Sequence, residues 1–92
     1  MSELRRQITI VNQRGLHARA SAKFVGAVAA LPESTQVRVA KDGKEAAGGS
    51  ILGLMMLGAA KGDTIELIVD GENADGAFAD LGALIEDGFG ET

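Results

Sequence analysis

The chain has 92 residues, of which 46% are apolar and 24% charged, with no cysteine, one proline, one histidine and a net charge of −4. A chain of this length buries only about 60 to 65% of its unfolded surface, so one domain over residues 1–92 is expected. Without cysteine it holds neither a disulfide framework nor a thiolate metal site, which fits a reducing, cytoplasmic setting. The acidic balance argues against sequence-independent nucleic-acid binding. The longest uncharged run, the 15 residues Ala46 to Ala60, is too short for a membrane span of ~20 residues, and the opening Met1-Ser2-Glu3-Leu4-Arg5-Arg6 lacks the apolar stretch of a secretion signal.

Leu4, Arg6, Ile8 and Ile10 alternate with Arg5, Gln7, Thr9 and Val11, which predicts a first strand that ends at Asn12-Gln13-Arg14-Gly15. From Ala18 the spacing of Ala20, Phe24, Ala27 and Leu31 is helical, and Pro32 stops it. Val37 and Val39 mark a second strand. Asp42-Gly43 supplies a two-residue hairpin turn, and Lys44 to Ala47 returns antiparallel. Ser50 is a favoured N-cap for a short helix through about Leu57, closed by Gly58. Ile65, Leu67 and Val69 form a fourth strand. Asn73 is read as the cap of a last helix with Ala74, Ala77, Phe78, Leu81, Leu84 and Ile85 on one face and Gly88 beyond its end. The order βαββαβα, with strands apolar mainly on one side, predicts a two-layer α+β sandwich whose helices cover one face of the sheet. The pairing order of the strands does not follow from these patterns.

Charge is unevenly placed. Residues 1–23 carry Arg5, Arg6, Arg14, Arg19 and Lys23 against Glu3 alone, whereas seven acids and no Lys or Arg lie from Asp70 onward. The basic end should meet an anionic group or an acidic partner surface. The later acids read as a solvated helix face and tail, since they lack the spacing of a calcium loop.

In Gly15-Leu16-His17-Ala18-Arg19-Ala20, His17 falls at the start of a helix and breaks two local rules. Histidine is not a favoured N-cap, and Arg19 and Lys23 set cations in the first helical turns, where the macrodipole disfavours them. An anion bound there resolves both conflicts through free backbone N–H groups and the Arg19 guanidinium. A neutral imidazole has one unprotonated nitrogen, and the positive end of a helix disfavours the charged ring, so a phosphoryl group carried on His17 suits the chemistry. The same pattern also fits a structural histidine beside a solvated cationic face. One histidine without cysteine makes no convincing metal site, and no metal or cofactor is assigned. Gly58-Ala59-Ala60-Lys61 departs from the Walker A pattern, and Ser50 has no second histidine with which to form a triad.

Gly15-Leu16-His17-Ala18-Arg19, followed by Gly49-Ser50-Ile51-Leu52-Gly53-Leu54-Met55-Met56-Leu57-Gly58-Ala59-Ala60-Lys61-Gly62-Asp63, resembles the HPr phosphocarrier family over nearly the whole chain. The resemblance implies a four-stranded antiparallel sheet of order 1-4-2-3 with three helices on one face. It also implies phosphorylation of His17 at Nδ1, with Arg19 assisting the phosphate. The phosphoryl group would come from phosphoenolpyruvate through Enzyme I and pass to IIA domains of a sugar or nitrogen-related phosphotransferase system. Such a protein is a substrate and donor rather than an enzyme, and docking successive partners through one face implies a monomer. Many members have Pro after the Arg; Ala20 stands there and leaves the terminus less rigidly pre-set.

Ser50 aligns with the serine that HPr kinase/phosphorylase modifies in many members, although a serine after Gly-Gly at a helix start needs no kinase to explain it. Phosphate there would add charge beside a partner-docking surface. That surface is expected to use Ile51, Leu52 and Met55 with Lys23, while Ile51, Leu52, Met55 and Met56 each have a place in the core as the default. The alternative functions are a non-covalent regulatory module controlled at Ser50 and an anion-binding domain that is never phosphorylated.

Overall fold

The computed structural model describes residues 3–91. The strands are β1 (Leu4–Thr9), β2 (Thr35–Lys41), β3 (Lys44–Ala47) and β4 (Thr64–Gly71); the helices are α1 (Ala18–Ala29), α2 (Ile51–Met56) and α3 (Ala74–Glu86), with a short 3₁₀ turn at Gly88–Gly90. One antiparallel sheet runs β1-β4-β2-β3, the α+β order that the family resemblance implies.

Register explains which residues meet the helices. Leu4 pairs with Val69 and Ile8 with Ile65, and Val37 and Val39 pair with Val69 and Leu67. These positions share the helix-facing side, where all but the half-buried Leu4 join Ala20 and Phe24 of α1, Leu54 of α2 and Ala77, Leu81 and Ile85 of α3 in one core. Burial of each large aliphatic or aromatic side chain contributes roughly 1.5–3 kcal/mol. Arg6 shares this side at the sheet edge and reaches Glu86 of α3 in an ion pair. Its guanidinium crosses the helix at Gly82, where a Cβ would stand 3.3 Å from Nη1.

The other side of the sheet is open and polar. Ile68, 1% exposed, alternates with the core residues of β4 and therefore faces away from the helices. Around it, Glu3 bridges Arg5 and Arg38, Arg5 also holds Glu66, and Arg38 also holds Glu45. Arginine stems cover apolar surface while their heads stay in water. Arg5 and Arg6 are thus spent on the sheet and its edge, and the basic end foreseen from the sequence narrows to Arg14, Arg19 and Lys23.

The hairpin forms as its residues dictate: Asp42 and Gly43 take φ of 51° and 84° between the paired Lys41 and Lys44, the geometry of a type I′ turn. α1 stops at Ala29, two residues short of Leu31, because the residue before Pro32 is kept out of helical geometry. Asn73 does not cap α3 with its side chain. It occupies the N-cap position in a left-handed conformation, φ 58°, and makes no capping bond. The chain leaves β4 through Gly71, φ 93°, where a Cβ would collide with the Ser34 carbonyl, so it enters α3 by a left-handed turn rather than the extended residue that side-chain capping needs.

Candidate functional site

The loop before α1 is shaped by Gly15. Its φ is +62°, and a Cβ would collide with the Ala59 carbonyl oxygen, which accepts the Leu16 N–H at 3.0 Å. Leu16 is buried beneath the loop. The chain then straightens at His17, whose ψ of −178° places it as N-cap, and its carbonyl accepts the Ser21 N–H at 2.9 Å. On the side-chain side, His17 Nδ1 accepts the Arg19 N–H at 3.3 Å. Histidine therefore caps the helix with a ring nitrogen, over a long bond.

The other ring nitrogen meets the end of the chain. His17 Nε2 lies 2.7 Å from Glu91 Oε2. Glu91 Oε1 accepts from Asn12 Nδ2 at 3.0 Å, and the same Asn12 amide donates to the Gly15 carbonyl at 2.9 Å. Asn12 is 5% exposed. The Asn12 hydrogen bond holds the Glu91 carboxyl below its ordinary range; burial works in the opposite direction, and the His17 hydrogen bond and the charges of His17 and Lys23 lower it further. The reading of the C-terminal acids as a solvated tail is thus overturned for Glu91, which contacts the site because the tail turns back after α3.

That return is made by three consecutive left-handed residues, Gly88, Phe89 and Gly90, with φ of 66°, 59° and 74°. An aromatic residue there is a genuine outlier, costing about 1–2 kcal/mol, and it is held because the Phe89 side chain is 1% exposed in the core. Lys23 Nζ donates to the Phe89 carbonyl at 2.7 Å. Lys23, expected to meet partners, is thereby also a tie between α1 and the tail. The sequence reading missed Asn12, Phe89 and Glu91; a lone aromatic between glycines at the end of an acidic tail was the available sign of an anchor.

Arg19 is exposed at the second helical position. Among the described residues neither Arg14 nor Arg19 enters a salt bridge. Together with Gln13, Lys23, Gly90 and Glu91 they line an open cleft of about 330 Å³. Three cations thus gather at the end of α1 where free N–H groups favour an anion. Another concavity, of about 410 Å³ beside the hairpin, is lined by Lys41, Asp42, Glu45, Thr64 and Glu66 and lies away from the histidine.

Ser50 caps α2 as read from the sequence, its Oγ accepting the Gly53 N–H at 2.9 Å. The short helix then departs from the core default. Ile51, Leu52, Met55 and Met56 are all exposed, Leu52 and Met56 at 68% and 71%, while Leu54 and Leu57 fill the core. With six residues in α2, the helix has too few turns to bury more than one narrow stripe. α2 packs against α1, so the apolar surface and the His17 helix are neighbours. Met56 belongs to this surface beside the three residues expected there.

Comparison with known proteins adds the family. A family model described as the PTS HPr component phosphorylation site matches residues 4–87. The phosphocarrier protein NPr of Shewanella violacea is 40% identical over 91 residues, covering 99% of this chain and 98% of its own. The phosphocarrier protein HPr of Neisseria meningitidis serogroup A is 46% identical over 88 residues, covering 96% and 97%. The crystal structure of HPr-C-His from Thermoanaerobacter tengcongensis superposes with a TM-score of 0.87 at 39% identity, covering 100% of this chain and 99% of that one. On this match across the chain and the shared fold, the protein belongs to the HPr family of phosphocarriers of the phosphotransferase system.

Proposed function

We propose that this protein carries a phosphoryl group on His17 Nδ1, accepting it from phospho-Enzyme I and passing it to IIA domains. The observation that carries this reading is the pair of contacts on the ring. A backbone N–H can only donate and an ionised carboxylate can only accept, so the Arg19 N–H and Glu91 are both satisfied by the tautomer with its proton on Nε2. The lone pair then lies on Nδ1, at the helix start.

As phosphorus approaches Nδ1, the long bond from the Arg19 N–H is given up, and that N–H becomes a donor to a phosphoryl oxygen. The cap passes from the ring nitrogen to the group it carries. Free N–H groups at the start of α1, with the Arg19 side chain and its cationic neighbours Arg14 and Lys23, supply the charge stabilisation that phosphoryl transfer requires. Ala20, in place of the proline common in the family, is fully buried against the core and allows the helix to begin without the ring. The exposed Ile51, Leu52, Met55 and Met56 offer an adaptable surface for successive partners.

The test is incubation with Enzyme I and phosphoenolpyruvate followed by intact-mass measurement. One acid-labile phosphoryl group is expected on the parent and none on His17→Ala. Arg19→Ala should slow uptake on the order of 10²-fold, as for loss of one charge-stabilising donor. Uptake that survives His17→Ala would overturn the reading.

A further inference from the structure

We infer that Glu91 is a positioning residue for His17, holding the ring in the Nε2–H tautomer before transfer and facing the ring as a fixed counter-charge afterwards. The inference rests on the carrier reading above and deepens it. Phe89, Gly90 and Glu91 lie beyond the span matched by the family model, which ends at residue 87, so the family match does not assign this role.

The geometry is over-determined. Glu91 Oε2 accepts the hydrogen bond of Nε2–H at 2.7 Å, and its second oxygen is held by Asn12 at 3.0 Å. Asn12 is fixed by the Gly15 carbonyl, two residues before the histidine. The glutamate cannot drift along the chain, because Phe89 is sunk in the core and its carbonyl is tied to Lys23. Side-chain exposures of 17% for His17 and 15% for Glu91 keep the pair partly out of water, where a charge-assisted hydrogen bond is strong. Histidines elsewhere are oriented in this manner when one ring N–H donates to a carboxylate, which fixes the tautomer.

The covalent step balances without a proton leaving the attacking atom. The Nδ1 lone pair forms the new P–N bond while the bond from phosphorus to the donor's leaving atom breaks, and that electron pair departs with the donor. Nε2 keeps its hydrogen. The ring nitrogens then share a positive charge that faces the Glu91 carboxylate. Passing the group onward reverses the sequence and restores the Nδ1 lone pair.

The test uses the full chain labelled with ¹⁵N at histidine, at a pH where the ring is neutral. Ring nitrogen shifts of the parent should report the Nε2–H tautomer, those of Glu91→Ala a mixture of both tautomers. Glu91→Gln retains an acceptor and should keep the parent tautomer. In both variants the phosphoryl adduct should hydrolyse about tenfold faster, because the counter-charge is gone. An unchanged tautomer in Glu91→Ala, or adduct lifetimes equal to the parent's in both variants, overturns the inference. A parent that shows the single tautomer yet takes up no phosphoryl group overturns the carrier reading and leaves the tautomer assignment standing.

Discussion

Helices α1 and α2 both begin on an extended residue whose side chain accepts a backbone N–H, and they differ in what holds that residue. At α2, Ser50 is a favoured cap, and its 2.9 Å bond to Gly53 is made within four residues of chain. At α1, His17 is a poor cap whose bond to Arg19 is 3.3 Å, and its ring is steadied by a carboxylate 74 residues away in sequence. Local chemistry suffices for the first helix start. The second is kept by long-range ties, which leave one ring nitrogen weakly engaged and free to be replaced. A strong local cap at residue 17 would satisfy the helix and leave nothing to react.

The sharpest way to break this contrast is at Phe89. Truncation to Ala should cost about 3–5 kcal/mol in denaturant unfolding, and His17 should lose its single tautomer while the amide shifts at the start of α2 stay as in the parent. A movement of the α2 shifts equal to that at α1 would show that the tail supports the whole fold rather than one site. Ser50→Ala should cost about 1 kcal/mol and leave the His17 ring shifts where they were, since its cap is self-contained. The smallest effect is in acid. The Glu91 carboxyl is held below its ordinary range, so its contribution is complete above the unfolded glutamate value of about 4.3 and is lost as pH falls through the lower folded value. Thermal midpoints followed through the acid range should therefore fall less steeply for Glu91→Gln than for the parent.

The contrast also explains what could be read from the residues alone. Alternation in β1, β2 and β4, the Asp42-Gly43 turn and the Ser50 cap are short-range features, and each forms as its neighbours dictate. His17 was conspicuous because it violates local preference at a helix start. Sheet order needed the family resemblance, since nothing in a strand's own pattern names its partner. Glu91 was read as solvated because its partners, Asn12 and His17, lie near the opposite end of the chain. Asn73 misled for the reverse reason: a residue suited to capping was diverted by the turn through Gly71. The exposure of Ile51, Leu52 and Met55 came from the family resemblance and not from the pattern, because an apolar helix of six residues looks the same in sequence whether it is covered or bare.

The roof over Ile68 bears on how such a protein meets its partners. Glu3, Arg5, Arg38, Glu45 and Glu66 interleave both signs over the open sheet, so this side projects little net field and offers no greasy foothold. A collision there finds well-hydrated charges already satisfied by one another, and it dissolves quickly. The side with α2 and the start of α1 offers apolar contact together with Arg14 and Arg19, which enter no salt bridge among the described residues. The molecule is thus one-sided: for the carrier proposed above, wrong-way encounters would be rejected at no cost, and rapid exchange would depend as much on the indifferent back of the sheet as on the ring at its front.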